Sequence, residues 1–471
     1  MRVYHYRSIE RALQEIENGT FHFSSQEELN DPIEGYVKLY WQGDEAAWEG
    51  LFQNYICSLY RVIGLYQLGV SYDRIVEQAV VIDKHQWDNV PFGKDLQEVA
   101  RKFVEEPSMQ KIIGWLGNQN IRFTEYTLNF LLRLIHETAY TLCIQKMKDR
   151  KLVPHDFPEG VSELSLEEFL KRIPTELPNY VRTVNNLEEK ILKEMLGTVV
   201  SMLEDHIEYR ILSDMMEEGS SSQFQLEYKL RFDFPAVYIR RLNEIVYPKG
   251  YVVCFSADND NSVMWGNYAC NHKGVCLIYQ TEQKNDQEVM SIKNQMTYGS
   301  AGMAWSFRNN TLRPVQYEKS IVERNFFVSL GRLTLPQICS FMETETKGMS
   351  KTIDTYYSDN WRAQYWEDQL KKYHSKMGIW EYEHEYRFFM DEGFHQFAND
   401  ERNISYDRKH LKGVVFGIKT SIQDKARILN AFKGAGMKDY EIYQAEYDNE
   451  KQKIRIRKKY ELVHLKSNIT N

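Results

Sequence analysis

Apolar and polar positions change period several times along this chain. Val3-Tyr4-His5-Tyr6 reads as a short strand, and Ile9-Glu10-Arg11-Ala12-Leu13-Gln14-Glu15-Ile16 carries the three- and four-residue apolar spacing of a helix. Ser8 stands where a hydroxyl would satisfy an early helix N–H, and Asn18-Gly19 offers a left-handed exit into an extended Phe21-His22-Phe23. The polar stretch 28–35 predicts a shaped loop, because Pro32 keeps Asp31 out of helical backbone and Asn30 can bond its own local backbone.

From about 43 to 241 glycine is sparse, and segments such as Asn129 to Lys148 and Leu187 to Glu218 have long helical periods. Pro154, Pro158, Pro174 and Pro178 divide this region into helical groups, and Gly219-Ser220-Ser221-Ser222 reads as its most flexible link. Strand texture returns at Tyr251 to Ser256 and Gly274 to Tyr279, with a short helix predicted over Val263 to Cys270 between them. Further on, Thr355 to Lys372 predicts a helix, Trp380 to Met390 an alternating strand, and Leu411 to Gly417 a buried one. Ser421 then opens a helix ending at Gly434, and Tyr440 to Ala445 begins a final hairpin. The pattern predicts an α+β fold: a mixed sheet domain built from residues 1–42 and 242–471, interrupted by a large helical insertion at 43–241.

Composition narrows the function classes. Among 471 residues, 42% are hydrophobic and 13% aromatic, enough for thick layers and ring-lined clefts. A net charge of -8 disfavours broad binding to a nucleic-acid backbone. The basic run Lys451, Lys453, Arg455, Arg457, Lys458 and Lys459 is set in strand-like alternation, so it is either a solvated strand face or a local anion contact. Six cysteines without a CxxC pair disfavour a zinc ribbon or a thioredoxin-type site. Neither a signal peptide nor a membrane-length apolar run is visible, which predicts a cytoplasmic protein with reduced thiols and no membrane association.

Three groups of residues carry candidate chemistry. In a strand over Trp380 to Met390, Glu381, Glu383, Glu385 and Arg387 would share one face and Tyr382, His384 and Tyr386 the other. Such an acidic row is either solvated beside cross-strand cations or used on a ligand, and Arg387 neutralises only part of it. In the second group, Trp265, Tyr268 and His272 would line one helix face, as core or as a wall for a planar ligand, behind Ser256 at a strand end. The third joins His5 and Arg7, on one face of the first strand, to Asn30, Asp31 and Glu34; His5 is catalytic or simply structural, and Glu34 can pair with Arg7. No metal set is expected, and the sequence has no Walker loop, GxGxxG, HExxH or GxSxG.

Blocks of this chain resemble the bacterial domain-of-unknown-function 2971 family. They are Tyr4-His5-Tyr6-Arg7-Ser8 with Leu29-Asn30-Asp31-Pro32-Ile33-Glu34, then Cys254-Phe255-Ser256 with Met264-Trp265-Gly266-Asn267-Tyr268-Ala269 and His272-Lys273-Gly274-Val275-Cys276, and finally Trp380-Glu381-Tyr382-Glu383-His384-Glu385-Tyr386-Arg387. That resemblance implies a bacterial intracellular protein and brings no activity with it. The order of an early His5 or Arg7, a central Ser256 or Tyr268 and a late Glu383-x-Glu385 also looks like the layout of ADP-ribosyltransferases. This second likeness implies NAD as cofactor and a carboxylate set against an oxocarbenium-like ribose. The rival expectation is a non-enzymatic sensor of a nucleotide or other ligand, whose helical insertion contacts a protein partner.

Overall fold

A computed structural model of the chain describes residues 1–31, 34–70, 92–119, 121–153, 229–299, 302–318, 323–392 and 397–459, with residues 75 and 216. Pro32, the prolines 154 to 178, the helical pattern over Leu187 to Glu218 apart from Met216, and the Gly219 to Ser222 link lie outside the described residues. Two compact units account for the chain, one comprising residues 1–36, 248–322 and 367–471, the other 37–247 and 323–366.

The first unit is built on an eight-stranded mixed sheet. Its strands, numbered here in chain order, are β1 (Arg2–Arg7), β2 (Gly250–Ser256), β3 (Val275–Gln280), β4 (Arg313–Pro314), β5 (Glu385–Asp391), β6 (Leu411–Phe416), β7 (Glu441–Asp448) and β8 (Lys453–Lys458). They lie in the order β4-β5-β2-β1-β3-β6-β7-β8. Only β6 and β7 pair parallel, and the helix Ile422–Gly434 makes the crossover that parallel neighbours require. Ser421 caps that helix and Ser8 caps Ile9–Asn18, each accepting an early backbone N–H; Gly19 leaves the latter at φ 64°. One face of the sheet carries Val3, Phe255, Leu277, Val414 and Ile442 against Leu13, Ile16, Ile428 and Phe432. The other buries Tyr6, Cys276, Ile278, Val415 and Ala445 with Met264 and Trp265.

The second unit is mostly helical in its described part. Its helix Glu45–Gln67 is buried around most of its circumference, which an all-round apolar pattern favours. Residues 323–366 join this unit because Glu323–Asn325 pairs parallel with Lys38–Trp41 and the helix Leu335–Met342 packs on Glu45–Gln67. A Cβ on Gly50 would lie 2.1 Å from the Phe341 carbonyl oxygen, so glycine permits that close approach.

Three sequence expectations are corrected. Trp380 to Met390 is not one strand: Gly378–Glu383 forms a 3-10 helix, His384 turns at φ 41°, and only then does β5 begin. The cause is tertiary, since Asn261 Nδ2 donates to the Tyr382 carbonyl and Ser256 Oγ to the Glu383 carbonyl, capturing groups that a strand would pair in its ladder. Thr355 to Lys372 likewise divides into a 3-10 helix, Lys351–Tyr357, and an α-helix, Trp361–Tyr373, with the Ser358 hydroxyl bonding the Thr355 carbonyl at the break. The helix after β2 is only Ser262–Asn267; Cys270, Asn271 and His272 follow with left-handed backbone.

Candidate functional site

The site begins with a split in the sheet. β1 is in register with β3 over six residue pairs and β5 with β2 over seven, whereas β1 meets β2 at Tyr4 and Ser256 alone. Past that point the two central strands part, and Ser24 exchanges both backbone hydrogen bonds with Val252. The wedge between them contains a cleft of about 500 Å³, in the size range of small-ligand pockets. Strand alternation divides its lining: His5 and Arg7 belong to one face of β1, Tyr4 and Tyr6 to the other.

On the first face His5 and Arg7 both reach Glu15. His5 Nδ1 is 2.9 Å from one carboxylate oxygen, Arg7 Nε donates to the other at 3.0 Å, and the Tyr279 hydroxyl adds a third bond at 2.6 Å. Burial and the neighbouring Arg7 charge lower the His5 pKa, and its ring packs on Phe255 at a centroid distance of 4.7 Å. Burial works to raise the Glu15 carboxyl, but His5, Arg7 and the hydrogen bonds outweigh it and bring the value to about 2. Glu34 does not pair with Arg7, which is committed to Glu15 instead.

On the second face Glu34, Glu383, Glu385, Lys376 and Arg387 form a buried charged group. Arg387 grips Glu385 with two bonds, Nε at 2.9 Å and Nη2 at 2.7 Å, and its Nη1 donates to the Tyr373 carbonyl. Arg387 also contacts Glu34. The Lys376 ammonium is 2.7 Å from Glu383, 3.4 Å from Glu34 and 3.5 Å from Glu385. Burial would raise the Glu385 carboxyl, yet Arg387 and Lys376 bring it down to about 2. At Glu34 the desolvation wins, and its pKa stands above the ordinary carboxyl value. Lys376 is pushed upward because the three carboxylates more than offset its burial.

Glu383 connects this group to a hydrogen-bond chain. Asn30 Nδ2 donates to the Tyr268 hydroxyl at 2.5 Å, and that hydroxyl donates to Glu383 Oε1 at 2.6 Å. Burial and the Glu383 carboxylate together raise the Tyr268 pKa, so the phenol keeps its proton. A ligand in the cleft therefore meets a carboxylate, an ammonium, an amide and three tyrosine rings, from Tyr4, Tyr6 and Tyr268.

Of the residues singled out in the sequence, Asn30, Glu34, Ser256, Tyr268, Glu383, Glu385 and Arg387 meet on this second face or at its edge, while His5 and Arg7 line the same cleft from the first. Of the two alternatives for Trp265, Tyr268 and His272, core or ring wall, Trp265 takes the core and Tyr268 alone lines the cleft. Trp265 is fully buried, edge-on to Tyr6 with its indole N–H on the Asn259 carbonyl, and His272 lies beyond the helix end among residues that do not line the cleft. Asp31 is buried, and its carbonyl accepts the Glu34 N–H. Glu381, expected beside Glu383, is exposed on the 3-10 turn. Lys376 was missed, although an acidic row that one arginine cannot balance is itself a signal that a second cation folds onto it.

The basic run near the C-terminus forms the edge strand β8, where Arg455 and Arg457 reach Glu446 across the hairpin. All six cysteines are free thiols, no helix among the described residues is long and apolar enough to cross a membrane, and none of their side chains form a metal-binding cluster.

No curated protein and no solved structure matches this chain. Residues 264–388, which include Tyr268, Lys376, Glu383, Glu385 and Arg387, match the model of the family described as protein of unknown function (DUF2971), the family that the sequence blocks resemble.

Proposed function

We propose that the sheet unit is a ligand sensor whose cleft binds a nucleotide-type molecule. The observation that supports this reading is one continuous cleft lined by the cationic Arg7 and Arg11 as well as by the Asn30–Tyr268–Glu383 chain. Arg11 is exposed and Arg7 keeps 24% of its side chain accessible, so both can meet phosphate oxygens. Sugar hydroxyls suit the other end, where Glu383 accepts and Asn30 donates. The helical unit, which exposes Leu68, Tyr126 and Tyr357, is the part we assign to contact with a protein partner.

Sensing is preferred to catalysis because Glu385, the late carboxylate of the expected layout, is already committed to Arg387. A carboxylate set against an oxocarbenium-like ribose has to present charge that is not already neutralised. The Tyr268–Glu383 bond favours a second reading, an ADP-ribosyltransferase-like enzyme using NAD, with Glu383 rather than Glu385 or His5 beside the reacting ribose. Calorimetric titration with ADP-ribose and NAD tests both. Micromolar binding, weakened at least about tenfold in Glu383→Gln and in Arg11→Ala, is the expected result. Nicotinamide release from labelled NAD, abolished by Glu383→Gln, would transfer support to the enzyme; absence of binding by either nucleotide sinks both readings.

A further inference from the structure

The charged group on the second face does not balance. Glu34, Glu383 and Glu385 present three carboxylates to the two cations Lys376 and Arg387, so one negative charge is left over beside the cleft. Glu34 is where the surplus is felt. It is 3% exposed and lines the cleft, and the two cations that its carboxylate meets, Arg387 in contact and Lys376 at 3.4 Å, are both shared with Glu385. Burial, with a smaller push from the Glu385 carboxylate, holds its pKa above the ordinary value against the pull of Arg387 and Lys376. Taking charge out of water is costly, and a surplus of this kind persists where something else completes it.

We infer that the cleft takes a ligand with a planar, delocalised cation at its inner end and an anionic group at its outer end. The preference for a delocalised cation follows from the walls. Tyr4, Tyr6 and Tyr268 line the cleft beside the carboxylates. Delocalised cations stack on such rings and surrender less hydration than a compact ammonium. Arg7 and Arg11 supply the complement for the anionic end. This inference rests on the nucleotide reading of the same cleft and adds the sign and place of the ligand's charge.

Oxidised and reduced NAD test it, since they share every phosphate and differ by one positive charge on the nicotinamide ring. Titrated into the full chain, the oxidised form is expected to bind at least about tenfold tighter, the low end of what close charge pairs give at interfaces. Glu34→Gln, which balances the group, should bring the ratio close to one; if that variant fails to fold, Glu383→Gln removes the same charge. Equal binding of the two forms, or tighter binding of the reduced one, overturns the inference and leaves the nucleotide reading intact. Should neither dinucleotide bind, the nucleotide reading falls and 1-methylnicotinamide against neutral nicotinamide decides the charge question alone: preference for the cation supports it, and no preference overturns it.

Discussion

The two faces of the split sheet bury ionisable groups in opposite ways. Around Glu15, one carboxylate meets one guanidinium, an imidazole and a phenol, and each carboxylate oxygen has a partner. Around Glu34, Glu383 and Glu385, the carboxylates outnumber the cations, and Glu34 shares both of its cations with Glu385. The lesson is that burial alone does not mark a functional group. A balanced, saturated cluster explains itself as structure, whereas an unbalanced one beside a cleft calls for something more. His5 illustrates the point: the sequence left it catalytic or structural, and it combines a place in the cleft lining with contacts to Glu15, Phe21 and Phe255 that satisfy it as a buried side chain.

The largest effect expected from disturbing this contrast is that of Arg387→Leu. It strands Glu385 and Glu34 without their guanidinium and should cost about 3–5 kcal/mol in denaturant unfolding of the sheet unit. Acid comes next. Glu15 and Glu385 have folded values near 2 against an ordinary 4.5, so the stability they confer is present above 4.5 and is lost as pH falls from 4.5 towards 2. For either residue a depression of that size corresponds to about 3 kcal/mol, measurable by chemical denaturation at stepped pH. Glu15→Gln, which discharges the balanced side, should lose about 2 kcal/mol. The smaller Tyr268→Phe effect is about 1 kcal/mol, because one hydrogen bond to Glu383 disappears. Glu34→Gln should be close to neutral at pH 7, since it removes a buried carboxylate charge that the two cations of the group, shared with Glu383 and Glu385, do not balance. A loss at Glu34→Gln equal to that at Glu15→Gln would erase the distinction between the two faces.

Much of the scaffold was legible because it is written in local chemistry. The Ser8 and Ser421 caps, the Gly19 exit, the apolar runs of β2 and β3 and the hairpin β7–β8 each follow from neighbours in sequence. The acidic segment was misread for an equally physical reason. Alternation over Glu381 to Arg387 satisfies a strand, but the segment's carbonyls are taken by Ser256 and Asn261, more than a hundred residues away. Glu383 still reaches the site, brought there by the turn at His384 rather than by strand periodicity.

The sequence by itself determined an α+β fold, the capped starts of the helices after Ser8 and Ser421, and Glu385 as a neighbour of Arg387, because helix caps and apolar periods act over a few residues. Only the tertiary structure decided that β1 and β2 part after one residue pair, that Lys376 enters the acidic group, and that Glu34 turns to Arg387 while Arg7 turns to Glu15. Those choices depend on charges meeting across distant parts of the chain after water has been removed, where partner geometry outweighs any preference that neighbouring residues impose.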